Sequence, residues 1–334
     1  KKQIEELYRK HPEEARDSFG EDPFEVKNIL KYWVFSEKPE FHVIPTDTIN
    51  IHIDKDALLR SGIMLPKTIR HLKGEDLKDA IPDKLYIPLT DIRMLTKVDL
   101  LMLEMLANCN WERPLYLAIS VGSVSKLKFD NYFVQEGLAF RFTPFDYKKW
   151  GDVGENRLYA VDVERLYDNV MNRYKYGGLD TPGLYLDETT LRTCWYHRRL
   201  FAQLAKELIA QGDNERAKKV LAYAEQVIPG YNVPETHESG SYDIATAYPA
   251  LGEKTKAVTL AVHLIAEAED YINWAFSLKG NRIEMVRNDC IYKFWQWNQY
   301  NELLKKIDGE KYKESNRRFE EKYALFAPTM NYKN

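Results

Sequence analysis

With 334 residues, 44% of them hydrophobic, the chain has material for a sizeable core and more length than a single domain commonly uses. Lys and Arg number 48 against 51 Asp and Glu, a net charge of -3, so no long-range field draws the protein to nucleic acid. The longest apolar runs, Leu100 to Leu106 among them, are broken by charges such as Glu104 and fall short of the ~20 residues that cross a bilayer, which excludes a membrane-spanning helix.

The opening residues, Lys1-Lys-Gln-Ile-Glu-Glu-Leu7, hold neither an initiator Met nor an apolar signal core. They read as the middle of a polar helix, and the chain is expected to be a fragment. Between Phe41 and Asp54, Ile49, Ile51 and Ile53 alternate with Asn50, His52 and Asp54, the period of a half-buried strand. Leu85 to Leu89 is a second strand. Thr96-Lys-Val-Asp99 has the spacing of a capping box, with Asp where Glu is usual, and opens a helix expected to run to about Asn108. Val98, Leu101, Met102, Met105 and Leu106 form its apolar stripe. Pro114 to Val121 is nearly continuous apolar sequence and reads as a strand covered on both faces; Leu138 to Phe142 is a further strand. Strands alternating with helical stretches point to βαβ units and a small mixed, partly parallel sheet, an α/β module over 1–186.

Past Asp187 strand signals vanish, and 187–334 reads as an all-α tetratricopeptide-like domain of helical hairpins. Phe201, Leu204, Ala205 and Leu208 lie on one helix, and Ala217, Leu221 and Ala224 on the next, with Gly212-Asp213 and Pro229 as punctuation. Small side chains at Ala205 and Ala217 let the two helices approach closely; Gly212 ends the first and Asp213 caps the second. Ile244, Ala245, Tyr248, Gly252, Ala257 and Ala261 repeat the pattern more weakly. A third pair, from about Asn281 to Tyr300 and from Lys311 to Leu325, carries Phe294, Trp295 and Trp297 without the repeat consensus and reads as the cap of the stack.

No catalytic constellation stands out. Cys109, Cys194 and Cys290 are too few and too scattered for a disulfide framework or a CxxC metal site and are expected to be core thiols. The seven histidines form no HExxH and no i, i+4 pair, so no metal is expected; His42 and His52, near Asp47 and Asp54, can meet as ligands or stand on the solvent side of a strand. Gly177-Gly178 and Gly151 to Gly154 lack the strand and the Lys-Ser/Thr pair of a phosphate cradle, and no cofactor is implied. The candidate catalytic carboxylates are Glu136, Asp187 and Glu188, each beside an element end; the favoured reading of Asp187 is a helix N-cap, with Glu188 in the first turn. Among the aromatic residues, 13% of the chain, Trp195, Tyr196 and Trp274 are candidates for stacking on a sugar or a peptide.

Several strings together resemble one family across most of the chain. They are Lys97-Val-Asp-Leu100, Asn110-Trp111-Glu-Arg113-Pro114-Leu-Tyr116, Glu136-Gly-Leu-Ala-Phe-Arg141-Phe-Thr-Pro144, Tyr167-Asp-Asn-Val-Met-Asn172 with Gly178, and Tyr185-Leu-Asp-Glu188 leading to Arg192, followed by the helical repeats. The family is that of polytopic membrane proteins of Bacteroidota related to protein O-mannosyltransferases, whose long C-terminal segment is extracytoplasmic. Leu115 and Leu117 stand where isoleucine and phenylalanine are common, and Val170 where leucine is usual. Read physically, Trp111-Glu-Arg113-Pro114 turns a helix into a strand, Arg113 can pair with an acid such as Glu136, and Arg141 faces opposite to Phe140 and Phe142. Trp111, Arg113 and Arg141 are therefore both structural and ligand-binding candidates.

The resemblance implies a location on the periplasmic side of the inner membrane and a parent protein that transfers a sugar from a lipid carrier. The transfer acids of such enzymes lie on an early loop between membrane helices, so it implies no catalytic residue here. The leading expectation is an accessory domain, partnered with its own membrane-embedded part, that recruits an acceptor protein or a glycan. The alternatives are a free-standing peptide-binding scaffold and a carbohydrate-active enzyme using Glu136 and Asp187.

Overall fold

The computed structural model describes residues 1–38, 40, 42–121, 127, 129–154, 159–278 and 282–330. Contacts divide the chain into two units, Lys1–Asp162 and Val163–Asn334. An α/β module comes first and a helical domain follows. Among the described residues no helix is long and apolar enough to cross a membrane.

The first unit opens with α1 (Lys2–Lys10) and α2 (Pro12–Phe19), then α3 (Val26–Ile29), whose last turn widens into a π turn. Strand β1 (Thr48–His52) buries Ile49 and Ile51 and pairs antiparallel with β2 (Lys84–Pro88), Ile49 opposite Ile87 and Ile51 opposite Leu85. The alternation read from 41–54 thus marks a real strand, although Phe41 lies outside the described residues. Between the two strands run α4 (Lys55–Arg60), capped by Asp54, and α5 (Gly74–Ala80).

Helix α6 (Lys97–Asn108) begins with the expected capping box: Asp99 accepts from the Thr96 amide, and the Thr96 hydroxyl accepts from the Asp99 amide. Its buried face is only in part the expected one: of the stripe, Leu106 is buried and Met102 half-buried against the core. Asp99, Leu103, Leu106 and Ala107 turn inward, whereas Val98, Leu101 and Met105 stand in solvent. An apolar-only stripe passes over Asp99, which can be buried because the box satisfies its carboxylate.

The second sheet has the order β3-β5-β4-β6, from β3 (Tyr116–Ala118), β4 (Phe133–Gln135), β5 (Ala139–Phe142) and β6 (Ala160–Val161). It is mixed: β5 runs antiparallel to β3 and β4, and β6 runs parallel to β4. The strand expected to be covered on both faces is instead β3, a three-residue edge with Tyr116 and Ala118 exposed. A short apolar run alone does not distinguish an edge from a central strand. The core is continuous, from Ile49 and Leu58 through Leu103 and Trp111 to Phe142, Phe145 and Tyr147.

The second unit starts with α7 (Val163–Asp168). Arg216 holds the Glu164 carboxylate with both terminal nitrogens, at 2.8 and 2.9 Å, tying α7 to the helical hairpin that follows. Helices α8 (Glu188–Ala210) and α9 (Asn214–Val227) form that hairpin as read, with Ala205 and Ala217 fully buried, Gly212 at φ +80° and Asp213 accepting from the Arg216 amide. A side chain at Gly212 would be strained in this left-handed conformation.

The second hairpin joins α10 (Ser241–Ala247) to α11 (Lys254–Ser277) through a 3-10 turn and Gly252. The third follows the short α12 (Arg282–Met285) and consists of α13 (Arg287–Ile307) and α14 (Gly309–Met330); Asn281 lies outside the described residues. Trp297, fully buried, donates to Ser315, and Ser315 donates to Asn301, so this hairpin closes on a polar bridge within its apolar seam.

Candidate functional site

The strand register of the first unit brings Glu136 and Arg141 together. Arg141 on β5 lies opposite Tyr116 on β3 and Val134 on β4. The Glu136 carboxylate accepts from the Tyr116 hydroxyl at 2.8 Å and lies 3.6 Å from the Arg141 guanidinium, with both charged residues buried. Arg141 also donates to the Ser61 carbonyl and hydroxyl at 3.0 and 2.7 Å. It is Arg141, not Arg113, that pairs with Glu136; Arg113 is exposed. Trp111 is core: its indole donates to the His52 carbonyl at 2.8 Å and its ring stacks on Phe142. Asn110 and Trp111 both adopt positive φ, 49° and 60°, the sharp reversal that leads α6 into β3. His42 and His52 are exposed, and His42 contacts the Ser36 carbonyl.

Beside α6 lies a partly apolar cleft of about 560 Å³, lined by Val34, Val43, Ile44, Leu89, Ile92 and Leu100 with polar His42, Thr46, Asp47, Thr90 and Arg93. Of the lining residues, Val43 is 52% and Met94 70% exposed, and on α6 Val98, Leu101 and Met105 are 46%, 57% and 50% exposed. Isolated exposed apolar residues are ordinary on a surface, but three on one side of a single helix are the pattern of an interaction face.

In the second unit the candidate acids serve the start of α8. The Asp187 carboxylate accepts from the Thr189 and Thr190 amides at 2.9 and 3.1 Å and from the Thr190 hydroxyl at 2.6 Å. The Thr190 hydroxyl and these amides hold it below the usual carboxylate range. Glu188 pairs with Arg192 one turn along the same helix. Glu136 and Asp187 belong to different units. Of the proposed stacking residues, Trp195 is half-buried, Tyr196 carries Arg199 over its ring at 5.3 Å, and Trp274 is exposed beside Tyr271.

A larger ring cluster lies elsewhere in this unit. The imidazole of His237 stacks on Tyr242 at 5.4 Å and meets Trp295 edge-on at 5.4 Å and Tyr292 at 6.1 Å. Its Nδ1 is 3.0 Å from the Tyr300 hydroxyl. Tyr292 and Trp295 are themselves parallel, 5.5 Å apart. The next residue, Gln296, donates to Glu238 at 2.9 Å, and Lys293 pairs with Glu267 at 2.9 Å. Burial opposes ionisation of Glu238, yet its backbone environment, the Lys293 charge and Gln296 prevail and lower its pKa. Burial, which disfavours the charged imidazolium, lowers the pKa of His237.

The loop that carries His237 is held by Arg198 of α8, which donates to the carbonyls of Ile228, Val233 and Pro234 and to the Ser239 hydroxyl. Sequence reasoning missed this cluster because His237 lies in a segment without periodicity. The signal that was available is the run of rings at 292, 295 and 300, which share one side of a helix.

Residues 3–164, just under half of the chain, match the family model of TMEM260-associated domain 2, a domain family associated with a membrane protein. No curated protein and no solved structure matches the chain. The match covers the unit that carries the cleft and the α6 stripe.

Proposed function

We propose that the chain is a non-catalytic, extracytoplasmic accessory part of a membrane glycosyltransferase-like protein of Bacteroidota, on the periplasmic side of the inner membrane. Its α/β module docks on the membrane-embedded part of the same protein, and its helical unit recruits an acceptor protein or glycan. The observation that carries this reading is the outward stripe Val98, Leu101 and Met105 on a helix of the unit that matches a membrane-protein-associated domain. A face of this kind is costly to leave in water and is stabilised by an apolar partner. The acids Glu136, Asp187 and Glu188 are engaged with Arg141 and Tyr116, with the amides of α8 and with Arg192, which supports a structural role over catalysis.

The test is a photo-crosslinking residue at position 101 in the full-length membrane protein. Crosslinks to its membrane-embedded segments are expected, and a Met105→Glu substitution should abolish them while the module stays folded. Crosslinks only to unrelated proteins, or none, would refute the docking.

A further inference from the structure

We propose that the ring cluster of the helical unit is a binding site for a neutral saccharide, seated on Tyr292 and Trp295 and hydrogen-bonded by Glu238. The inference deepens the reading of this unit as the recruiting half of the protein and rests on it.

The apolar part of the site is ring surface. Tyr292 and Trp295 are 44% and 47% exposed, and their planes lie within 13° of each other. The two rings stack on each other with an offset, three residues apart on one helix, and each keeps nearly half its surface open, so that exposed ring face suits a flat apolar ligand face. A pyranose has such a face, in its axial C–H groups, and a rim of hydroxyls that both donate and accept.

The polar part is short of donors. Gln296 is fully buried; its amide nitrogen is spent on Glu238, and its Oε1 has no hydrogen bond. Buried Oε2 of Glu267 is in the same position. Both atoms are enclosed, so the group open to a ligand hydroxyl is the half-buried Glu238 carboxylate, which Gln296 holds in place. Gln296 acts here as a positioning residue for the Glu238 carboxylate.

Charge favours a neutral ligand over a cationic peptide. Of the four acids around the rings, Glu267 is paired with Lys293, Asp243 with Lys206 and Glu302 with Lys305, which among the described residues leaves Glu238 without a cationic side chain in contact. A lysine or arginine would therefore meet one carboxylate and a neighbouring Lys293 charge. The site is also preorganised: His237 wedges between the rings, and its loop is fixed by four hydrogen bonds from Arg198.

The experiment uses the 334-residue protein, with methyl glycosides of glucose, galactose and mannose and their short oligomers as probes at ~10 mM, and saturation-transfer NMR as the readout. A Lys/Arg-rich peptide is the second arm. At least one glycoside is expected to bind, with affinity lowered about tenfold or more in Trp295→Ala and in Glu238→Gln, and unchanged in Trp195→Ala. Because Trp295 is half exposed, its alanine variant should keep the wild-type circular dichroism spectrum. Tyr292→Phe, which keeps the ring, should retain binding and serves where a truncation fails to fold. Binding of the peptide alone overturns the saccharide site and leaves the recruiting role standing. Absence of any glycoside binding, or glycoside binding indifferent to both Trp295→Ala and Glu238→Gln, overturns the inference; loss of both ligands together with the crosslink at position 101 overturns the functional reading as well.

Discussion

The guanidinium of Arg198, from the middle of α8, donates to the carbonyl of Val233, 35 residues further along the chain, at 2.6 Å. The same side chain reaches Ile228, Pro234 and Ser239, so one buried cation fills the hydrogen-bonding needs of a loop that has no ladder of its own. Burial lowers its pKa to about 10, which leaves it charged at neutral pH. The reach of this fork explains why an irregular segment can hold His237 against four rings.

Replacing Arg198 with methionine keeps length but removes every donor, and three carbonyls are then enclosed without a partner. Stranding a buried polar group costs about 1–3 kcal/mol, and losses within one network do not simply add. Arg198→Met is expected to destabilise the helical unit by about 3–5 kcal/mol in urea unfolding at pH 7, as when one member of a buried charged network is removed. Arg198→Lys, a charge without the fork, should fall between. A methionine variant within about 1 kcal/mol of wild type would contradict the anchoring role.

Helix α6 allows a sharper comparison, since two leucines two positions apart face opposite ways. Leu103 is buried and Leu101 is exposed. Leu103→Ala should cost about 2–5 kcal/mol through lost burial and the cavity left behind, whereas Leu101→Ala should stay within about 0.5 kcal/mol. The reverse order in thermal or chemical unfolding would restore the stripe read from sequence.

Where geometry is local, the sequence was legible. Gly212 with Asp213 marks a hairpin because the left-handed residue and the cap are chemical requirements of that turn, and Ala205 and Ala217 mark the crossing because nothing larger fits. The box at Thr96 and Asp99 was equally plain, but the direction in which α6 faces was not, since it depends on which neighbours the helix meets. The Arg141 ion pair was hidden for a related reason: it depends on Tyr116 lying opposite Arg141, and register across strands of three and four residues is not written in their composition. The His237 cluster joins a loop to two helices, one of them more than 50 residues away, and no spacing rule covers such a meeting.

The ion pair itself makes a prediction. Arg141 and Glu136 are buried together, and Arg141 also serves two oxygens of Ser61. Arg141→Met removes the guanidinium beside the enclosed Glu136 carboxylate, which Tyr116 alone does not neutralise, and should cost about 3–5 kcal/mol. Pairing that change with Glu136→Gln should recover a large part of the loss, because the stranded charge is gone. A double-mutant cycle by urea unfolding measures this, and strict additivity would show that the two groups act independently.

Acid should weaken the helical unit before its carboxylates titrate. Burial lowers the pKa of both His197 and His237, the first against Tyr174 and Tyr176, the second despite the opposing pull of Glu238, Asp243 and Glu267 and with some help from Lys293. In the folded state both imidazoles therefore bind their proton less readily than in the unfolded chain, where the pKa is about 6.5. Below that value the unfolded state takes up protons first, so unfolding becomes more favourable as pH falls. The contribution of the two neutral histidines is complete above about pH 6.5, declines down to their folded pKa values and is constant below them. Urea unfolding at steps from pH 7.5 to 5 should show this decline in the wild type and lose most of it in a His197→Gln/His237→Gln variant. If the double variant keeps the full slope across that window, other groups carry the acid sensitivity.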